Sequence, residues 1–227
     1  MRIYKKKLIV ITSLLLAFTI VTIIVLSGIF ETWEFNVGDD INYFIDNQIT
    51  FIFMRIITFA GDFFVLLGAV LLLFIIPKTR KKIGLPLGFA LLASAATNQI
   101  LKNIFRRERH PGFNLIETSG FSFPSGHTQN STVFFVMLIL LLFYAFGIRK
   151  KIIFIAIATI PFIVGISRIY LGAHYLGDII ASFLIGPAIA LTAFIIWDLL
   201  REKSKGTKLH QRLFVDKTKY KNIKRHR

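Results

Sequence analysis

Long uncharged apolar runs, separated by short blocks of lysine and arginine, recur along this chain and restrict what it can become. Residues 8–30 contain no charged side chain. At about 1.5 Å of rise per residue, a helix of that length crosses a hydrocarbon layer roughly 30 Å thick. Arg2, Lys5, Lys6 and Lys7 precede the run, as in a signal peptide. It is longer than a signal-peptide core and lacks a small-residue cleavage site, so it is expected to stay as an anchor. Further spans are expected at about 58–77, 83–105, 125–146, 152–171 and 174–197. Between the first two, acidic residues alternate with Trp33, Phe35, Ile41, Phe44 and Ile45. Ile41, Phe44, Ile45 and Gln48 keep helical spacing, which predicts a short helix lying on the bilayer surface.

The predicted fold is therefore all-α: a polytopic membrane protein, a six-transmembrane-helix bundle with a short interfacial helix after the first span. Residues 1–200 would form this domain and 201–227 a basic cytoplasmic tail, solvated and resting on anionic lipid. The mean hydropathy of +0.66 agrees with that class. A formal net charge of +16 raises nucleic acid as a partner, but the cations sit in blocks between apolar runs, which signals topology instead. Of the 28 Lys and Arg, 22 lie before the first span, between the second and third, between the fourth and fifth, and in the tail. With six spans these segments share one side, which the positive-inside rule makes the cytoplasm. No cysteine is present, which excludes disulfides and thiolate metal sites.

Three polar clusters interrupt the apolar pattern between residues 102 and 178: Lys102 with Arg109; Pro124-Ser125-Gly126-His127; and Ser167-Arg168 followed by His174 and Asp178. Under the expected topology all three fall at extracytoplasmic helix ends. Pro124-Ser125-Gly126-His127 opens the fourth span, where unpaired backbone N–H groups and the positive dipole end attract an anion. Taken alone it is no more than a capped helix start. His174 and Asp178, four apart at the start of the sixth span, share a helix face, so the carboxylate fixes the imidazole and frees its other nitrogen for attack on phosphorus. The same pair also serves as a structural contact or half of a metal site, but further His or acidic ligands are missing nearby, which disfavours a metal. Lys102, Arg109 and Arg168 are cations suited to clamp phosphoryl oxygens. Arg106 and Arg107 read as headgroup anchors, Glu108 as a solvated partner, and Arg55 with Asp62 as a structural pair.

Together the clusters resemble the three-part signature of the type-2 phosphatidic acid phosphatase and haloperoxidase superfamily, membrane lipid phosphatase branch. The first part, Lys, six residues, Arg-Pro, is met by Lys102 and Arg109 with His110 inserted before Pro111. The second is met by residues 124–127, and the third by Ser167, Arg168, His174 and Asp178. The resemblance implies that His174 is the nucleophile, Asp178 its orienting partner and His127 the acid for the leaving oxygen. It implies that Lys102, Arg109, Ser125, the Gly126 amide and Arg168 bind phosphate, with no metal or other cofactor. The expected activity is hydrolysis of a lipid phosphate monoester or diphosphate, such as undecaprenyl diphosphate, phosphatidylglycerophosphate or phosphatidate, through a phosphohistidine. The partners are then that substrate and membrane lipid, in a bacterial plasma membrane. A phosphotransferase, or a non-catalytic lipid-binding or transport protein, is the alternative.

Overall fold

A computed structural model of the chain describes residues 2–44, 47–109, 115–207 and 213–214. Among these the fold is helical throughout: α1 (Arg2–Leu26), α2 (Glu31–Phe44), α3 (Gln48–Thr58), α4 (Phe63–Ile75), the short α5 (Pro77–Thr79), α6 (Leu85–Phe105), α7 (Gly126–Phe146), α8 (Lys151–Tyr170) and α9 (Leu176–Lys203). Five helical segments are long and apolar enough to cross a membrane, and six if the bent pair α3 and α4 makes one span. That count agrees with the six-span expectation.

The bent pair departs from the expected boundaries. α4 has 13 residues, only about 20 Å of helix, too short to cross alone. The span therefore starts at Gln48, not near Thr58, and turns by 54° through Phe59–Gly61. Asp62 sets the corner, since its side chain accepts the Phe64 and Val65 amides at 2.9 and 3.1 Å and caps α4. Gly61 lets the corner press on α7: a Cβ there would fall 2.6 Å from the His127 carbonyl oxygen. The helix between the first two spans is α2, which ends at Phe44 and leaves Gln48 to the next helix. Asn47 takes an extended conformation and its side chain accepts the Thr50 amide at 2.8 Å, so α3 begins afresh and Gln48 does not continue the stripe of Ile41. Ile45 lies outside the described residues, as do the side chain of Phe44 and most of the predicted tail. α9 itself runs to Lys203, past the expected boundary at 200, and the Phe214 ring lies 5.2 Å from Trp197.

α7 occupies the centre, against α6, α8 and α9, while α1 lies along α9. Leu66, Val70, Leu87, Leu91, Val133, Met137, Leu141 and Phe194 form the main apolar core. Much of α1 and α8 presents Leu, Ile and Phe outward, as faces toward lipid tails do.

Candidate active site

The loop before α7 and the first turns of α7 and α9 meet at one end of the bundle. Ser125 is the N-cap residue of α7, and its amide donates to the Asp178 carbonyl at 3.3 Å. The Ser182 hydroxyl approaches both the Ser125 and Asp178 carbonyls, at 3.0 and 2.7 Å. These bonds fix the two helix starts together. Gly126 and His127 then occupy the first turn of α7, whose amides have no partner within a helix. The Ser125 hydroxyl is buried and lies 3.1 Å from that of Thr128. Beneath them Asn98 donates to Pro124 O and to Gln129 Oε1, at 3.2 and 3.1 Å. Gln129 donates to Ser94 O at 2.9 Å, and Ser94 to Asn130 at 2.7 Å.

His174 is not on α9, as four-residue spacing suggests; it precedes the helix, which begins at Leu176. The pairing survives for another reason. Asp178 sits at the third position of α9, and its Oδ2 accepts the Tyr175 amide at 3.1 Å in the manner of a capping box. The same oxygen lies 3.3 Å from His174 Nδ1. With Nδ1 held there, Nε2 is the nitrogen left to react. Burial holds this imidazole well below its ordinary pKa, against the opposing pull of Asp178, so the ring is neutral at neutral pH.

The cations gather around these histidines. The buried Arg168 donates from Nη1 to Thr58 Oγ1 at 2.9 Å, while its Nε is buried without a hydrogen-bond partner. Lys102 donates to Phe121 O at 2.7 Å. Arg109 is directed to the carbonyls of Ser119, Gly120 and Ala173, stapling the loop to the start of α9. The charges of Arg168, Lys102 and Arg109 act on His127, and those of Arg168 and Arg109 on His174. Lys102, Arg109, Ser125, His127, Arg168, His174 and Asp178 thus lie at one end of the bundle, whereas the Ser167 hydroxyl donates to Val164 O of its own helix at 2.7 Å. His110 and Pro111, where the chain departs from the signature, lie outside the described residues.

Two residues read otherwise in the sequence belong to this site. Arg107 is not a headgroup anchor: its side chain is only 10% exposed, and it bridges Asp178 Oδ1 at 2.7 Å and Glu34 Oε2 at 2.5 Å. Burial alone would lower its pKa, but Asp178 and Glu34 more than offset that and hold the guanidinium charged. Glu34 Oε1 in turn accepts the Gly177 amide at the start of α9. Asp62 does not pair with Arg55; its second oxygen faces His127 Nε2 at 3.8 Å. The sequence does carry a faint signal for Asp62, an acid directly before an apolar run. Nothing in the spacing of Arg106, Arg107 and Arg109 tells which of them turns inward.

A family model described as the PAP2 superfamily matches residues 83–202, more than half of the 227 residues. The chain belongs to the PAP2 superfamily. Among curated PAP2 relatives, it is 35% identical over 92 residues to phosphatidylglycerophosphatase B of Bacillus subtilis, 39% of this chain and 45% of that protein. It is 28% identical over 158 residues to dolichyldiphosphatase of Saccharomyces cerevisiae, 64% of this chain and 66% of that one. The chain thus spans less than two thirds of each relative's length. The crystal structure of a transmembrane PAP2-type phosphatidylglycerolphosphate phosphatase from Bacillus subtilis superposes with a TM-score of 0.74 at 26% identity, over 86% of this chain and 98% of that one. Aquifex aeolicus LpxE gives 0.57 at 24% identity, over 71% and 94%, a likeness of fold alone.

Proposed function

We propose that this PAP2 protein hydrolyses a phosphate monoester or diphosphate carried by a membrane lipid, through a phosphohistidine at His174. The observation that carries the reading is the buried His174–Asp178 pair, with Arg168, Lys102 and His127 gathered about it. The relatives named for phosphatidylglycerophosphate and dolichyl diphosphate support the lipid class.

In the first half-reaction His174 Nε2 donates its lone pair to phosphorus, and the bond from phosphorus to the lipid oxygen, or to the bridging oxygen of a diphosphate, breaks. His127 gives that oxygen a proton. In the second, water attacks the phosphohistidine with His127 taking its proton, which releases inorganic phosphate and regenerates both imidazoles. Arg168 has an unpartnered Nε for an equatorial oxygen, and Lys102 adds charge. Ser125 and the Gly126 amide contribute donors at the start of α7. Arg109 acts on the same phosphate once a ligand competes for its carbonyl contacts. Asp62 faces His127 Nε2 at 3.8 Å and helps to orient its ring toward the leaving oxygen.

Among the described residues no three His, Asp or Glu side chains group to hold a metal, and the mechanism calls for none. By charge bias the site faces away from the cytoplasm, with residues 201–227 on the cytoplasmic leaflet.

The test is phosphate release from phosphatidylglycerophosphate, undecaprenyl diphosphate and phosphatidate by purified protein in mixed micelles. His174→Ala should abolish turnover on whichever lipid is cleaved, and acid-quenched wild type should carry labelled phosphate on histidine. Sustained turnover in the variant would falsify the mechanism. Insensitivity to chelator is expected, and release of phosphate to water in preference to an added alcohol separates hydrolase from phosphotransferase.

A further inference from the structure

At the end of the bundle opposite the catalytic cluster, the start of α1, the turn at Arg80–Gly84 and the last turns of α7 and α9 enclose a cavity of about 500 Å³. Among the described residues, Lys7, Lys81, Lys82 and Arg201 line it, with Asp198 as the one carboxylate. Asp198 is already engaged, accepting from the Tyr4 hydroxyl at 2.5 Å and lying 3.7 Å from Arg201, which also lies 3.8 Å from Glu202. Lys7 instead stands over aromatic faces, 4.2 Å from the centre of Phe194 and 4.5 Å from that of Tyr144. Lys82 stands 5.5 Å from the centre of the Phe146 ring. Rings hold such ammonium groups without neutralising them.

A second, apolar slot of about 190 Å³ adjoins this cavity between α1, α6 and α9, with Leu15, Phe89, Ala93 and Ile196 among its walls. The two are neighbours: the Phe89 ring on the slot's wall lies 6.4 Å from the Trp197 ring on the cavity's wall. Along α9, Ala193 and Ile196 face the slot while Phe194 and Trp197 face the cavity. On α1, Leu15 lies about 12 Å deeper than Lys7, two turns further along the helix. A basic chamber near the helix ends thus lies beside an apolar slot whose walls stand nearer mid-bundle.

We propose that the chamber and slot together hold one anionic phospholipid from the leaflet opposite the catalytic cluster, its phosphodiester between Lys7 and Lys82 and one acyl chain in the neighbouring slot. Basic pockets between membrane helices are suited to such headgroups, each cation contributing about 1 kcal/mol near an anionic surface. The slot rejects a soluble phosphate as a full match, because only a lipid fills both volumes. The site is separate from the proposed phosphatase centre and stands without it.

The full-length protein in neutral detergent micelles is titrated with dioleoyl phosphatidylserine, an anionic diester that lacks a terminal phosphate. Bound lipid is read by native mass spectrometry and by thermal unfolding. A one-to-one adduct and a raised unfolding temperature are expected, with phosphatidylcholine giving neither. Lys7→Gln with Lys82→Gln should weaken binding about thirtyfold, and Lys82→Gln alone, at an exposed position, about fivefold. Ala93→Phe, which fills the slot, should also weaken it, while His174→Ala should bind as wild type does. Equal binding of phosphatidylcholine, undiminished binding by the Lys7/Lys82 double variant, or loss of binding in His174→Ala would each overturn the site. Equal binding of deacylated glycerophosphoserine would assign the chamber to a soluble anion and equally reject the lipid.

Discussion

α7 changes character part-way along its length. Its first two turns bury Thr128, Gln129, Ser131 and Thr132, and the rest buries Val133, Phe134, Met137 and Leu141. The polar half is tied to α6 by directional bonds between Gln129, Asn98, Ser94 and Asn130. The apolar half packs on Leu87, Leu91, Val70 and Phe194, where contact depends on volume and little on direction. The difference teaches how the bundle divides its tasks. Geometry is fixed where chemistry is proposed, and cohesion comes from the half where small rotations cost little.

Five substitutions would break or sharpen this contrast. The largest effect belongs to Arg107→Ala, which leaves Asp178 and Glu34 buried without their cation. It should cost about 3–5 kcal/mol of stability and lower kcat, whereas Arg106→Ala, at an exposed position, should change unfolding by under about 0.5 kcal/mol. Chemical unfolding in detergent, run beside phosphate release, checks both, and equal effects from the two arginines would refute the inward role of Arg107. Met137→Ala, in the apolar half, should cost about 2–5 kcal/mol through the cavity it leaves with kcat unchanged. A large fall in kcat there would blur the two halves into one.

Asn98→Ala removes one link of the polar half. Interhelical hydrogen bonds in membranes average about 0.6 kcal/mol, so stability should fall by roughly 1 kcal/mol or less. KM should rise more than that figure suggests, because the α7 start loses its support. A further effect is on pH. Folding holds His174 below its usual value near 6.5, so the unfolded chain takes up the proton first as pH falls through that value. Stability is then complete above about pH 7 and declines toward pH 5.5, by at most about 1.4 kcal/mol per unit for one group. His174→Gln should flatten that slope in unfolding scans; an unchanged slope would assign the titration elsewhere.

Run length and charge blocks made the helices and their number legible in the sequence, because crossing a bilayer imposes a length that composition records directly. The break at Phe59–Asp62 was not legible, since an apolar run reads the same straight or bent, and the corner depends on Asp62 capping and Gly61 packing. The polar clusters were visible by residue type and spacing, and they lie together in the structure. The inward turn of Arg107 was hidden, because it depends on Glu34, more than seventy residues away in the chain and in a segment that reads as amphipathic surface. His174 was placed on a helix it only precedes, because spacing of four is met equally by an N-terminal cap.

One consequence follows from where the supporting residues stand. The family match covers residues 83–202, yet Arg107 inside it is held by Glu34, Arg168 by Thr58, and His127 is faced by Asp62. All three of these supports lie outside the match. A graft of the matched segment onto another membrane scaffold would carry the signature intact and leave behind the contacts that aim it. The recognisable part of the chain and the self-sufficient part are not the same.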